Sequence, residues 1–441
     1  MTRFVALLGL TALALAAAPA SAMDIQPIVS PSGIKAWLVH ESSVPLVSLN
    51  YAFVGGSSQD EPDKGGTANL AADMLDEGAG DMNSETYHKR LEDHAIELTF
   101  NVGRDYFRGT LRTLVEHRDE AFDLLHLALA APRFDADALE RVRGQEIAGL
   151  QREISNPTKL ASQAWWHNAF PDHPYGRESK GTLESVPRIT AADLHDYVHR
   201  VFARNGLTIT VVGDVDAKTA GELIDRAFGS LPQNNQLKPV PETSPRGLGR
   251  RIVISIDVPQ SVVAFGGQGV ARSDPDFMAA YIVNHILGGG TFSSRLYQEV
   301  REKRGLAYGV SDSLVWFRRA AVTIGGTATR ADRTGDALQI IEREVKRMAD
   351  EGPTAKEMAD AKSYLKGAYA LALDSSTKIA AQLTEIQLDN LGIDYIQRRG
   401  GLIDAVTIED ARRVAKRLYG GGLLVTIAGK PKGLTSSDAR P

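Results

Sequence analysis

The sequence predicts an α+β protein made of two similar domains of nearly equal size. The first observation is the segment 232–250, which holds four prolines among polar residues and is typical of a semi-extended linker. The second is an ending shared by both halves: a helical segment, an apolar strand and a glycine, with Gly213 and Gly429 216 positions apart. This repeat suggests a duplication, with one domain at 23–231 and the other at 251–441.

Each half shows the same order of predicted elements before that ending. Apolar residues alternate at Leu98, Phe100 and Val102, which predicts a strand with one covered face. The matched segments, first half before second, are strands at 47–54 and 262–267, strand-rich stretches at 96–114 and 307–327, amphipathic helices at 116–131 and 333–351, helices at 192–202 and 408–418, and final strands at 207–213 and 423–429.

The first 22 residues are typical of a cleavable secretory signal peptide. Arg3 supplies a positive start, residues 4–17 are apolar, and Ala20-Ser21-Ala22 has the A-x-A form of a cleavage site. This stretch is too short and wrongly flanked for a membrane span, and no later apolar run approaches spanning length. We therefore expect a soluble periplasmic or secreted protein of 419 residues, counted from Met23.

Composition excludes several classes of function. The net charge is -5, or -6 once Arg3 is removed, so nothing indicates a nucleic-acid partner or an anionic membrane partner. The chain has no cysteine, which excludes disulfides, thiolate zinc sites and thiol nucleophiles.

The segment 65–78, Gly-Gly-Thr-Ala-Asn-Leu-Ala-Ala-Asp-Met-Leu-Asp-Glu-Gly, carries the most information. Its frame resembles the H-x-x-E-H helix of the pitrilysin/insulinase family of zinc peptidases, in which two histidines bind zinc and the glutamate is the general base. The three matching positions here hold Asn69, Ala72 and Asp73. An amide, a methyl group and a short carboxylate cannot replace two imidazoles and a base. We expect no metal at this helix and no hydrolysis by this chain alone.

The resemblance covers most of the chain. It rests on His173-Pro-Tyr-Gly-Arg177, on Gly181-Thr-Leu-Glu-Ser, on the stretch 205–215, and on the long match 287–308, Leu-Gly-Gly-Gly-Thr-Phe-Ser-Ser-Arg-Leu-Tyr-Gln-Glu-Val-Arg-Glu-Lys-Arg-Gly-Leu-Ala-Tyr. It implies two domains, each a largely antiparallel sheet backed by helices. It also implies that Glu146 and Glu153 match a glutamate pair in the family, with Glu153 at the position of the last zinc ligand.

The resemblance gives Arg301 and Tyr308 a catalytic role. In the family, the matching tyrosine donates a hydrogen bond to the oxygen that becomes negative during hydrolysis, and the arginine holds the substrate backbone. The chain thus keeps one half of a catalytic apparatus and lacks the other. This combination favours a heterodimer, as in mitochondrial processing peptidase, in which a homologous partner carries the zinc and the two chains cut an extended polypeptide.

Two features leave alternatives open. Gly288-Gly289-Gly290 resembles a shortened form of the glycine-rich, substrate-contacting loop of noncatalytic processing-peptidase subunits, but glycines here also suit a tight turn. His195 and His199, at i and i+4 on a predicted helix, allow an autonomous zinc hydrolase, although no third ligand is evident and a surface helix explains them better. A noncatalytic peptide-binding or scaffold protein of the same fold is a further alternative.

Overall fold

The structure, a computed structural model, describes residues 23–436; the predicted signal peptide lies outside the described residues. The strands are β1 (Gln26–Val29), β2 (Lys35–His40), β3 (Leu46–Val54), β4 (Gly78–Ala79), β5 (Met82–Asn83), β6 (Glu97–Val102), β7 (Tyr106–Leu114), β8 (Leu207–Gly213), β9 (Arg251–Ile254), β10 (Gln260–Gln268), β11 (Ala307–Trp316), β12 (Ala321–Arg330) and β13 (Leu424–Ala428).

The helices follow the predicted order, and two of them continue into π-helical turns. These turns lie at His285–Gly289 and Gln298–Glu302. The helices are α1 (Thr67–Met74), α2 (Ser84–Asp93), α3 (Arg118–Ala130), α4 (Ala136–Glu153), α5 (Pro157–Ala169), α6 (Ala191–Val201), α7 (Ala217–Phe228), α8 (Phe277–Asn284), α9 (Arg295–Tyr297), α10 (Thr334–Glu351), α11 (Ala355–Leu371), α12 (Ser376–Leu388), α13 (Tyr395–Asp404) and α14 (Ile408–Tyr419).

Two main sheets repeat one topology. The first has the order β1-β2-β8-β3-β7-β6 and the second, written in the matching direction, β9-β13-β10-β12-β11. In each sheet one pair is parallel, β2 with β8 and β9 with β13, and every other pair in them is antiparallel. The predicted α+β fold with two largely antiparallel sheets is confirmed, and the strand order supports the duplication.

The helix, strand and glycine that end each half have equivalent N-terminal helix caps and equivalent glycine conformations. Helices α6 and α14 each begin with a threonine capping box, Thr190 with Asp193 and Thr407 with Asp410. The strands that follow end at glycines with positive φ, +150° at Gly213 and +145° at Gly429. A Cβ at Gly213 would lie 2.1 Å from the backbone oxygen of Leu46, so only glycine allows β8 this close approach.

The two halves exchange a helix. Helix α5 packs on β10 and β13 of the second sheet, whereas α12 packs on β3 and β8 of the first. Trp165 is fully buried and donates its indole N–H to the Leu424 carbonyl at 3.1 Å. The hydroxyl of Thr426 donates to the Ala161 carbonyl at 2.6 Å, and Thr384 of α12 donates to Thr210 at 3.0 Å. The domains are therefore interlocked rather than joined only by the linker.

The segment 232–250 contains no helix or strand and is held along both domains. Gln59 and Lys238 exchange two hydrogen bonds between the Gln59 amide and the Lys238 backbone, at 2.8 and 3.2 Å. Further along, the Arg246 N–H donates to the Ala169 carbonyl at 2.8 Å. Because these hydrogen bonds satisfy its backbone groups, the segment is held in one conformation against the domains and does not act as a flexible linker. Among residues 23–436, no helix has the length and apolar character needed to span a membrane.

Candidate active site, in two halves

The first half of the site is α1, which carries the three positions matching the zinc motif. The Asn69 side-chain amide donates to a carboxylate oxygen of Asp73 at 2.9 Å, one turn along the helix. Ala72 is buried between them on the inner side of the helix. The face that would carry two imidazoles therefore carries one amide–carboxylate pair, and the donor set does not fit zinc.

The loop before α1 is held by several hydrogen bonds, although the helix carries no zinc-binding histidines. Asp60 accepts hydrogen bonds from the backbone N–H groups of Gly66 and Ala68, both at 2.9 Å, and so caps the helix. Gly66 has φ +96°, and a Cβ there would lie 2.6 Å from the Lys180 carbonyl oxygen. The Ser185 hydroxyl donates to the Gly65 carbonyl at 2.7 Å. Burial raises the pKa of Asp60 to about 7.

The segment His173–Arg177 forms hydrogen bonds that hold the loop before α1 in place. The Arg177 guanidinium donates to the Asp60 carbonyl at 3.0 Å. The Tyr175 hydroxyl donates to Asp105 at 2.5 Å, and the other oxygen of Asp105 accepts from the Arg318 backbone N–H at 2.8 Å. The segment His173–Arg177 therefore links the loop before α1 to the second domain. This structural role explains why the segment matches the family, and it requires no metal-ligand role for His173.

The two glutamates of α4 lie in different surroundings. Glu146 is within hydrogen-bonding reach of Asp73. Glu153, seven residues further along the helix, instead forms an ion pair with Lys159, 3.0 Å between nitrogen and oxygen. Burial first, and the charge of Glu146 second, raise the pKa of Asp73 to about 7. The structure thus brings Asn69, Asp73 and Glu146 together, and the assignment of Glu153 to the last ligand position stays a prediction.

The raised pKa of Asp73 has a measurable consequence for stability. Below pH 4 both folded and unfolded chains protonate this carboxyl; between about pH 4 and 7 only the folded chain holds the proton, so stability falls as pH rises. We expect Asp73→Asn to raise the free energy of unfolding at pH 8 by roughly 1 to 2 kcal/mol, discounted for partial exposure, and to change it little at pH 4.

Urea unfolding of both proteins at these two pH values checks this prediction. Asp60 and Asp312, whose pKa values burial also raises to about 7, are present in both proteins and cancel in the difference. Asp137→Asn, at an exposed position of α4, is the matched control and should not alter the pH dependence. If Asp73→Asn changed the free energy of unfolding equally at pH 4 and pH 8, the raised pKa of Asp73 would be wrong.

The alternative zinc pair lies on the surface of α6. His195 and His199 are both exposed, and the His195 ring contacts the edge of Phe134, with ring centres 4.8 Å apart. Within residues 23–436, no group of three or more histidine, aspartate or glutamate side chains is arranged to hold a metal ion. The described chain thus supplies no third ligand to the two histidines, and their geometry is that of a solvated helix face.

The second half of the site is the pair Arg301 and Tyr308. Tyr308 is the second residue of β11, the edge strand of the second sheet, at a bulge where the register with β12 shifts. Tyr308 is 86% exposed. The Arg301 guanidinium carbon lies 4.6 Å from the centre of the Tyr308 ring and 4.9 Å from that of Tyr297. Cation–π contacts with these two rings hold the arginine beside the tyrosine.

The segment that carries Arg301 is anchored to α11. Arg295 is buried and forms a two-pronged ion pair with Glu357, at 2.6 and 2.8 Å. The π-helical turn after α9 closes through a hydrogen bond from the Lys303 N–H to the Gln298 carbonyl at 3.0 Å, and the Gly305 N–H then donates to the Arg301 carbonyl at 2.8 Å. Sequence reasoning missed Tyr297 as a support for Arg301, although its i, i+4 spacing was a usable signal.

The three glycines occupy different surroundings. Gly288 is buried against β11, where a Cβ would lie 2.5 Å from that of Asp312, so close packing requires glycine. Gly289 is exposed and Gly290 is half-buried. A tight packing role explains Gly288, whereas substrate contact by Gly289 and Gly290 stays a prediction.

Two family models match the chain. Residues 37–182 match the insulinase family, peptidase family M16, and residues 188–365 match the peptidase M16 inactive domain. The chain belongs to the M16 family of insulinase-like peptidases. It is a member whose α1 lacks both histidines and the glutamate of the family's zinc motif.

Individual relatives share both length and fold. A non-peptidase homolog, YmxG, of Helicobacter pylori is 29% identical over 74% of this chain and 76% of its own. The beta subunit of the mitochondrial processing peptidase of Saccharomyces cerevisiae is 24% identical over 80% of this chain and 79% of its own. A crystal structure described as a peptidase M16 inactive domain from Pseudomonas fluorescens has a TM-score of 0.87 and 28% identity, covering 95% of this chain and 100% of that one.

Proposed function

We propose that this chain is the noncatalytic subunit of an exported heterodimeric metallopeptidase. A homologous partner with an intact H-x-x-E-H helix carries the zinc and the general base. This chain contributes Arg301 and Tyr308 to the shared site. The substrate is a peptide or an unfolded polypeptide held in extended form.

The observation that carries the proposal is the arrangement of Tyr308. An 86% exposed tyrosine ring fixed on a guanidinium has no packing task within its own domain. Its hydroxyl is free to donate to the oxygen of a substrate carbonyl as negative charge develops there. Arg301, held between two rings, is positioned to donate to the substrate backbone.

The edge position of β11 supports an extended substrate. An edge strand presents unpaired backbone N–H and C=O groups, and an extended peptide binds such an edge by adding a strand. Tyr308 lies in this strand, so a peptide paired with β11 would pass beside its hydroxyl. The name of the Helicobacter pylori relative, a non-peptidase homolog, agrees with a chain that does not hydrolyse peptides alone.

Export is proposed from residues 1–22 and places the pair in the periplasm or outside the cell. Partner and substrate would meet this chain there, after cleavage behind Ala22.

Metal analysis of three samples tests the proposal: this chain alone, the zinc-bearing homologue alone, and their mixture after size-exclusion chromatography. We expect near-zero zinc in this chain, about one zinc per chain in the homologue, and a co-eluting complex with one zinc per two chains. One tightly bound zinc in this chain alone would refute the noncatalytic assignment. Separate elution of the two chains would refute the heterodimer.

A further inference from the structure

A second cleft, which Gly289 borders but Arg301, Tyr308 and the α1 motif residues do not, lies between α8, α11, α12 and α13. Its volume is about 490 Å³, within the range of small-molecule pockets. Aromatic side chains dominate its walls, among them Tyr281, Trp316, Tyr369 and Tyr395, and two arginines, Arg272 and Arg399, also line it. Aromatic walls with a few polar groups are typical of sites that select one kind of ligand.

This cleft is the second domain's counterpart of the motif helix region. Helix α8 packs on α14 and β11 as α1 packs on α6 and β6, and α11 takes the place of α4. The offset that aligns the glycines after the two helices pairs Gly78 with Gly290, Asn69 with Tyr281 and Asp73 with His285. In the second domain, Tyr281 and His285 therefore stand at the positions that match Asn69 and Asp73, and both line the cleft.

Arg399 is a buried cation that faces this cleft without a carboxylate partner in the described chain. It is 6% exposed, and its guanidinium donates to the Leu365 carbonyl at 2.9 Å. The same group stacks on Tyr369 at 4.1 Å and lies 5.8 Å from the Tyr281 ring centre. A buried charge paired only with a carbonyl and two ring faces is costly, and an anion in the cleft would offset that cost.

The acids at the wall do not fill this role because they pair with other cations. Asp389 lies 3.5 Å from the Arg272 guanidinium and accepts the Trp316 indole N–H at 3.1 Å. Glu385 forms its ion pair with Arg108 of the first domain. Arg399 is thus the wall cation that retains donors for a ligand.

The hydroxyl of Tyr369, the residue on whose ring Arg399 stacks, is an unsatisfied polar group. Its oxygen is buried and has no hydrogen-bond partner among the described residues. Burial raises the pKa of Tyr369 to about 12, so the hydroxyl keeps its proton as a donor. A buried donor without an acceptor is destabilising, and one acceptor oxygen placed here would satisfy both Tyr369 and Arg399.

We propose that this cleft binds an aromatic carboxylate: the carboxylate accepts hydrogen bonds from Arg399 and Tyr369, and the attached ring packs against the aromatic wall in which Phe277 contacts both Tyr281 and Trp316. The last residue of a peptide that ends in phenylalanine has this chemistry, and so has a free aromatic acid. The site requires neither Tyr308 nor a zinc-bearing partner, so it goes beyond the proposed function and stands independently of it.

Isothermal titration calorimetry on the purified chain tests this site with three probes: N-acetylphenylalanine, a pentapeptide ending in phenylalanine with a free carboxylate, and the same pentapeptide amidated. We expect at least one acid to bind and the amide to bind about tenfold more weakly or not at all. Binding of both acids identifies the free aromatic acid as sufficient, and binding of the peptide acid alone identifies a peptide terminus. Equal affinity for acid and amide, or no binding of either acid, would overturn the proposal.

Variants of the two donors sharpen the test. Tyr369→Phe removes a hydroxyl that makes no hydrogen bond to any residue of 23–436, so the fold should be retained while affinity for the acid falls about tenfold. Arg399→Lys keeps the charge but loses the planar fork and should weaken binding similarly. Tyr106→Phe, the same loss of a hydroxyl on β7 of the first domain and outside the cleft, should retain wild-type affinity. Unchanged affinity in Tyr369→Phe would refute the assigned donor.

Discussion

Tyr308→Phe is expected to lower the turnover number of the paired enzyme roughly a hundredfold, because one preorganised donor to a developing oxyanion contributes about 3 kcal/mol to transition-state stabilisation. The ring stays on Arg301, 4.6 Å from its guanidinium carbon, so folding and assembly should be unaffected. Steady-state hydrolysis of a fluorogenic peptide gives the rate, and size-exclusion chromatography reports the complex. A loss confined to the turnover number, with little change in KM, is the signature of a group that acts in the transition state.

The matched control for this prediction is Tyr364→Phe. Tyr364 is the other strongly exposed tyrosine among the described residues, and it lies in the same domain on α11. Its hydroxyl has no assigned role in catalysis, so the paired enzyme should keep its rate. If the paired enzyme turned over equally fast with Tyr308→Phe, the transition-state role of this tyrosine would be wrong even if the heterodimer stood.

The second large effect is expected from restoring the zinc motif. A triple variant, Asn69→His, Ala72→Glu and Asp73→His, should bind about one zinc per chain, from near zero. The loop that positions α1 is intact, since Asp60 still caps the helix through Gly66 and Ala68. Removal of Asp73 also eliminates its unfavourable contact with Glu146. Metal analysis after dialysis measures the gain.

Two further substitutions in the triple variant separate the roles of the α4 glutamates. The family resemblance assigns the last ligand to Glu153, so Glu153→Gln should abolish tight zinc binding. Glu146 contacts position 73 and would orient the new imidazole there, so Glu146→Gln should weaken affinity about 10- to 100-fold. The double variant Asn69→His and Asp73→His is the control that retains zinc without a general base. If the triple variant failed to bind zinc, the surroundings of α1 would differ from those of a zinc-binding family member in more than these three side chains.

Local patterns predicted much of the fold because they report burial directly. The alternation at 96–114 corresponds to β6 and β7, and the segment 408–418 corresponds to α14 with its capping box at Thr407. The exchange of α5 and α12 was not predictable, because the amphipathic pattern of a helix does not identify the sheet it covers. A bulky apolar residue such as Trp165 is typical of a buried helix face, but it does not reveal that the partner strand of α5, β13, lies in the other half.

The same distinction applies to the candidate site: local sequence patterns identified some of its residues, and contacts between distant segments became visible only in the structure. The chain positions of Arg301 and Tyr308 followed from a long sequence match, whereas the register shift beside Tyr308 required the structure. The contact of Glu146 with Asp73 joins helices some seventy residues apart, and no pattern within either helix encodes it. Arg399 and Tyr369 meet in the second cleft for the same reason, through packing of α11 against α13.

The most direct test of the central claim is peptide hydrolysis by this chain mixed with an exported M16 homologue that carries an intact H-x-x-E-H motif. The account predicts negligible turnover by either chain alone and turnover that saturates at one to one stoichiometry in the mixture. The same mixture prepared with Tyr308→Phe should form the complex but remain slow. Full activity of the homologue alone, unchanged by addition of this chain, would contradict the account.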